Sequence, residues 1–292
     1  MITQPLTAQE EAVNLRTYGI PQVASYYAAL SYLTPCEKVL FRSYIKAGVH
    51  VLDLGVGGGR TTAYLSRIAS RYVGVDYSEA MVQACKNKYL QLDFRLADAS
   101  DLSPFEDESF DAIVFSFNGL DSVIPNKKRS RCLRECGRVL RPGGVFIFSS
   151  HNPRSLLVRA DWDHGRLKAF ARTFISQRNL YFPLLLGVFT ALKATHAFFA
   201  AAIRSMVKTI RRVPSSAFWR GEGNLYDLSH GGLTIHCATP EKVIAELTEF
   251  NFQLVTFVGD DYPRTSRAFF TEWYYYVFSK SENSNMGRKS CA

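Results

Sequence analysis

Two acids and an alternating run of glycines are the residues of this chain best suited to holding a ligand. Asp53, Gly55, Gly57 and Gly59 follow the apolar run Val51-Leu52 and lead into Arg60. Glycine has no Cβ and tolerates positive φ, so a ligand can approach such a backbone closely. A second acid, Asp76, closes the next apolar run, Tyr72-Val73-Gly74-Val75, where a carboxylate can take two hydrogen bonds from a ribose diol. The spacing is not a dinucleotide fingerprint. Arg60 stands where the third glycine of G-x-G-x-x-G would let helix and strand pack closely, so a nucleotide-like ligand is expected, but not a dinucleotide.

These residues need a scaffold, and from Val49 onward the pattern alternates strand and helix, as in a parallel sheet flanked by helices. Val49 to Leu54 reads as a strand, followed by a helix from about Arg60 to Ala69. A second strand runs to Asp76, and Ser78 is a good N-cap for a helix carrying Met81, Val82 and Cys85. Asp93 to Ala97 reads as a short third strand ending at Asp98-Ala99. The acidic turn Phe105 to Asp111 leads into a fourth, Ala112 to Phe117. A helix from about Lys127 to Leu140 is stopped by Arg141-Pro142-Gly143-Gly144, and Val145 to Phe148 is a fifth strand. Beyond His151-Asn152-Pro153 the alternation breaks. Thr239-Pro240-Glu241 then starts a helix, and strands are expected at 252–258 and 273–278.

The glycine loop with Asp76, the acid-turn-strand at 105–117 and the run R-V-L-R-P-G-G at 138–144 jointly resemble the class I S-adenosylmethionine-dependent methyltransferases. The resemblance covers about residues 49 to 151 and resumes at the Pro-led helix. It implies an α/β fold: a Rossmann-like seven-stranded, mostly parallel sheet with helices on both faces, here with a helical basic insertion after strand five. It implies S-adenosylmethionine as cofactor, a nucleoside without phosphates, which fits the missing third glycine. By resemblance Asp53, Gly55, Gly57, Gly59 and Arg60 cradle the amino-acid and ribose portions, and Asp76 grips the ribose. Asp98 and the amide of Ala99 serve the adenine. Tyr77, Met81, Ser116 and Asn118 complete the cofactor side. An N-terminal helical cap would bring Tyr26 and Tyr27 to the acceptor, although both also fit a helix face packed on the core.

Methyl transfer from a sulfonium is a displacement at carbon and needs a base only when the nucleophile must lose a proton. Ligands of open parallel sheets sit beyond the carboxyl ends of the strands, which places Asn118 and His151 near the acceptor. His151 is the leading base candidate, since imidazole accepts protons near neutral pH. His236 and Tyr262 are further catalytic candidates, and His230 a substrate contact. No metal is expected. The six cysteines contain no C-x-x-C and read as reduced core thiols.

The chain of 292 residues carries a net charge of +9, and the charge is concentrated. Between Asp163 and Glu222 stand ten lysines and arginines and no acid. Residues 164–213 are therefore a candidate contact with an anionic membrane surface, or a cap on the acceptor pocket; the lysine within the apolar stretch argues against a spanning helix. Ser116-Phe117-Asn118-Gly119 replaces the Asn-Pro-Pro-aromatic box of base-amino methylation, so nucleic acid is disfavoured as a partner. The expected layout is a cap (1–47), a cofactor-binding core (48–152), the insertion (153–221), the C-terminal part of the core sheet (222–280) and a disordered tail (281–292). The N-terminus lacks a signal peptide, so a cytoplasmic protein, peripheral to membrane if the insertion binds lipid, is expected. The leading function is methyl transfer to O or N of a small, hydrophobic or lipid-linked acceptor. RNA methylation through the basic segment and a non-catalytic S-adenosylmethionine-binding regulator are the alternatives.

Overall fold

The computed structural model describes residues 8–154, 215–227, 233–264 and 271–282. The chain divides into two units, residues 1–154 with 213–292, and residues 155–212. The second unit lies outside the described residues, and with it nearly all of the expected basic insertion and membrane surface. His230 and the tail beyond residue 282 lie outside them too.

Three helices open the first unit: α1 (Ala8–Tyr18), α2 (Pro21–Ala29) and α3 (Pro35–Tyr44). Alternation then begins with β1 (His50–Leu54), α4 (Thr62–Ile68), β2 (Arg71–Asp76), α5 (Glu79–Lys88), β3 (Asp93–Leu96) and β4 (Phe110–Phe115). A 3-10 turn at Gly119–Ser122 precedes α6 (Asn126–Val139) and β5 (Leu140–His151). After α7 (Ser215–Arg220), β6 (Glu222–Asp227) and β7 (Leu233–Ala238), the chain closes with α8 (Pro240–Thr248), β8 (Phe252–Gly259) and β9 (Trp273–Lys280). The main sheet has seven strands in the order β3-β2-β1-β4-β5-β9-β8. The first five pair in parallel, while β9 runs antiparallel to both neighbours.

Side chains alternate across a strand, and two apolar clusters occupy opposite faces accordingly. Leu52, Leu54, Ile113, Phe115, Phe146 and Phe148 pack with Cys132, Leu133 and Cys136 of α6 and Val243 and Leu247 of α8. Val51, Ala112, Val114 and Ile147 pack with Cys36, Leu40 and Phe41 of α3, Leu65 of α4 and Val82 and Cys85 of α5. The five described cysteines are free and buried, as expected of core thiols.

Two expectations are corrected. The segment Arg141-Pro142-Gly143-Gly144 does not separate helix from strand; it is part of β5, which starts at Leu140. Arg141 anchors it, donating to Asp111 Oδ1 at 2.6 Å and to the Glu108 carbonyl at 2.9 Å, and the extra residues are absorbed as a register shift between Phe110 and Ala112. Residues 222–238 do not join the core sheet. Strand β9 pairs with β5 at seven positions, so the free edge of β5 is taken, and β6 and β7 pair with each other as a separate antiparallel ribbon.

Candidate active site

The sheet reverses direction of growth between β1 and β4, and the crevice beyond their carboxyl ends is where an open α/β sheet binds ligand. A cavity lies there. Eleven residues expected from sequence line it: Tyr27, Asp53, Gly55, Gly57, Arg60, Asp76, Tyr77, Met81, Asp98, Ala99 and Ser116.

The glycine loop between β1 and α4 forms the floor. Gly55, Gly57 and Gly59 take φ of 58°, 55° and 80°, a region costly for residues with a Cβ. Gly58 serves differently: a Cβ there would fall 2.2 Å from the Ala28 amide nitrogen and 2.3 Å from the Tyr27 carbonyl carbon. Helix α2 thus lies directly on the loop. Lys88 of α5 donates to the carbonyls of Ala28 and Leu30 at 2.9 and 3.2 Å, fixing the end of that helix.

Asp53 is buried, and its Oδ2 accepts from Thr61 Oγ1 at 2.6 Å and Tyr72 OH at 2.8 Å. Burial raises its pKa to about 6 in spite of those hydrogen bonds. Asp76 accepts from the Gly57 amide at 2.8 Å and, through its other oxygen, from the Ser78 amide at 2.9 Å. Burial again dominates, pushing it up to about 6. Ser78 also caps α5, as expected, accepting from the Met81 amide. Burial alone would raise Asp98, but Lys128 and the Ser100 amide hold it below the ordinary carboxylate value; Lys128 Nζ is 2.5 Å from its Oδ2.

Arg60, standing where a dinucleotide loop has glycine, faces inward. Its Nη1 and Nη2 each reach Glu37 at 2.6 Å, and Nη1 also donates to the Tyr32 carbonyl at 3.0 Å. The guanidinium stacks over Phe117, 4.8 Å from its ring centre. Its two terminal nitrogens are thus committed to the cap, joining α3 to the loop while the side chain lines the cavity.

Other expected residues lie elsewhere. Gly59 is turned toward Tyr89, Thr62 and Cys85 and does not line the cavity. Tyr26 is 55% exposed and meets Tyr27 edge-on; consecutive helical residues point to different faces, and Tyr27 takes the inner one. His236 is buried on β7, 3.6 Å from Glu222, in the ribbon. Tyr262 packs against the cluster on the α3 face. Neither lines the cavity among the described residues. His151 and Asn118 stand together just behind the cavity wall: Asn118 Nδ2 is 3.3 Å from His151 Nε2, and Phe117 and Gly119 on either side of Asn118 line the cavity.

Sequence reasoning missed Asn14 and Tyr18 of α1, Gly58, Phe117, Ser122, Ile124 and Lys128, all of which line the cavity. Three consecutive glycines at 57–59 were a visible signal for Gly58. The others come from elements whose placement over the site is tertiary.

Residues 52–148 match a family model described as a methyltransferase domain. Those residues are a methyltransferase domain of the class I S-adenosylmethionine-dependent type. The chain is 39% identical over 121 residues to a demethylmenaquinone methyltransferase of Clavibacter sepedonicus, covering 40% of this chain and 47% of that protein. A phthiotriol/phenolphthiotriol dimycocerosates methyltransferase of Mycobacterium tuberculosis is 34% identical over 152 residues, 48% of this chain and 51% of that one. The chain spans about half the length of the curated relatives it matches. The fold extends further: the CcbJ methyltransferase of Streptomyces caelestis superposes with a TM-score of 0.57 at 17% identity, over 91% of this chain and 98% of that one.

Proposed function

We propose that this protein transfers the methyl group of S-adenosylmethionine to an oxygen or nitrogen of a small, apolar or lipid-linked acceptor. The observation that carries the reading is the cavity at the switch point, whose polar groups match a nucleoside bearing a positive charge. Asp76 is held by two backbone amides with its carboxylate beside the glycine loop, which suits a ribose diol. Asp98 and Ala99 suit an adenine edge, and Gly55 and Gly58 let Phe115 and α2, which wall the cavity, pack directly on the loop. Asp53 and Asp76 supply negative charge for a cation. Bound there, the cofactor supplies a methyl group activated by sulfonium. The protein's part is to orient: aligned reactants reach effective molarities of roughly 10⁵ to 10⁸ M.

Support for an apolar acceptor comes from relatives named for demethylmenaquinone, phthiotriol dimycocerosates and, in Mycolicibacterium smegmatis, fatty acid, the last 31% identical over 145 residues. His151 is the base candidate, 20% exposed and next to the cavity wall. Among the described residues no helix is long and apolar enough to cross a membrane.

Calorimetry with S-adenosylmethionine tests the cofactor reading. Incubation with methyl-labelled cofactor and a panel of fatty acids, isoprenoid quinols and RNA, followed by mass spectrometry, tests the acceptor. Label in the organic phase is expected; label in RNA alone, or binding without transfer, contradicts the reading.

A further inference from the structure

Asp121, fully buried on the 3-10 turn after β4, is an acceptor in every contact it makes. Its Oδ1 takes the Ser150 hydroxyl at 2.7 Å; its Oδ2 takes the His151 backbone amide at 2.7 Å and stands 2.8 Å from His151 Nδ1. Arg129, also buried, lies 3.8 Å from the same carboxylate and is fixed by Glu246 at 2.8 Å and by the Leu120 carbonyl at 2.8 Å. The chain running β4, turn, α6 therefore delivers one carboxylate, itself held, to one ring nitrogen. A carboxylate can only accept, so the ring proton resides on Nδ1 and the neutral imidazole presents a lone pair at Nε2.

Asn118 meets that lone pair. Its backbone is left-handed at φ 60°, next to Phe117 at 58°, and its amide donates to Ser149 Oγ at 2.8 Å, so the side chain is held at the histidine. Its Nδ2 points at Nε2, while its Oδ1 is buried with no hydrogen-bond partner. An orphaned buried acceptor is a cost that structures seldom carry without reason.

We propose that Asp121 and Asn118 make His151 a general base for a hydroxyl acceptor, Asp121 fixing the tautomer and Asn118 turning its amide over when Nε2 gains a proton. The proposal rests on the methyl-transfer reading. As the acceptor oxygen bonds to the methyl carbon, the methyl–sulfur bond breaks with its electron pair left on sulfur. The acceptor hydroxyl displaces the Asn118 Nδ2 donor from the single lone pair of Nε2 and passes its proton there; the positive charge lost at sulfur appears on the imidazolium. Nε2–H is then a donor, and a half-turn of the Asn118 amide gives Oδ1 the partner it lacked. A neutral amine attacks through its own lone pair and needs no base beforehand, so this assembly selects a hydroxyl. His151 touches the reacting group; Asp121 and Asn118 position it.

The test is ¹⁵N NMR of the full chain labelled in histidine, without cofactor, together with turnover on two acceptors that share one apolar tail and end in a hydroxyl or an amine. The wild-type ring is expected in the Nδ1–H form. In Asp121→Asn that preference is lost and kcat falls roughly 10²-fold or more, while the cofactor Kd stays within about twofold, since Asp121 does not line the cavity. Asn118→Leu is expected to keep the tautomer and lose about tenfold in kcat. Label should appear on the hydroxyl compound. A wild-type ring in the Nε2–H form, an unchanged tautomer in Asp121→Asn, or methylation of the amine alone would overturn the proposal. The wild-type spectrum needs no variant, so it decides even where Asp121→Asn fails to fold. Absence of cofactor binding by calorimetry would instead sink the methyl-transfer reading itself, and the proposal with it.

Discussion

Asp53 and Asp76 are carboxyls that burial raises to about 6, and both face a cavity proposed to receive a cation and a diol. A ligand that favours the ionised form must lower those pKa values, so its binding releases protons. Cofactor affinity should rise about tenfold between pH 5 and pH 7, as a carboxyl of pKa about 6 goes from largely protonated to largely ionised. Calorimetry in buffers of different ionisation enthalpy reads both effects; affinity flat across that range would contradict it. Stability of the ligand-free protein should show the opposite sign. A carboxyl raised on folding binds protons more readily in the native state, so its contribution is complete below the unfolded value of 3.8 and is lost as pH rises through about 6. In Asp76→Asn, urea unfolding between pH 4 and 7 should lack that share of the slope, and the cofactor Kd should weaken by roughly 10²-fold, a loss of two charge-assisted hydrogen bonds. The acids themselves were legible in the sequence because Asp76 closes an apolar strand and Asp53 interrupts one just before the glycine loop. Their shifted pKa values were not, since they follow from burial in the packed fold, where Asp53 meets Tyr72 and Asp76 meets Gly57, partners 19 positions away along the chain.

At the scale of elements, the cap and the glycine loop are one piece of machinery. Gly58 carries no positive φ, so alanine fits its backbone; what alanine cannot fit is the main chain of α2, 2.2 Å from the new carbon. Gly58→Ala should destabilise by about 1–3 kcal/mol through overpacking and weaken cofactor binding, whereas Gly57, where an added Cβ meets nothing nearer than 4.0 Å, should suffer only backbone strain on replacement. Glu37 is buried and does two tasks, closing the capping box with Thr34 and pairing with Arg60. Glu37→Ala strands the Arg60 guanidinium inside the protein, expected to cost about 3–5 kcal/mol; Glu37→Ala with Arg60→Met should recover much of it in urea unfolding. The missing third glycine excluded a dinucleotide from sequence alone. That its replacement, Arg60, reaches back to α3 required the fold, because nothing in local spacing relates positions 37 and 60. The β6–β7 ribbon was misplaced for a similar reason: a strand's pattern does not say which edge is already taken.

Across the whole molecule, the methyltransferase domain occupies the middle of the first unit, and the ten cations between Asp163 and Glu222 fall chiefly in the second. The division of labour expected from this is that the domain determines what is donated and the flanking segments determine what receives it. Deleting Leu180 to Arg212 should therefore reduce turnover on the acceptor more than it changes cofactor affinity, measured on the same preparation. Co-sedimentation with anionic vesicles at low and high salt would then separate a lipid-binding segment, which should pellet only at low salt, from a pocket cap, which should stay in solution in both. The most direct test is mass spectrometry of lipid extracts incubated with the protein and methyl-labelled S-adenosylmethionine. Label is expected on the oxygen of an apolar, hydroxyl-bearing compound, abolished by Asp76→Asn at limiting cofactor and strongly reduced by His151→Ala. Cofactor bound at the glycine loop with all label retained in the donor, across extracts and RNA alike, would contradict that expectation.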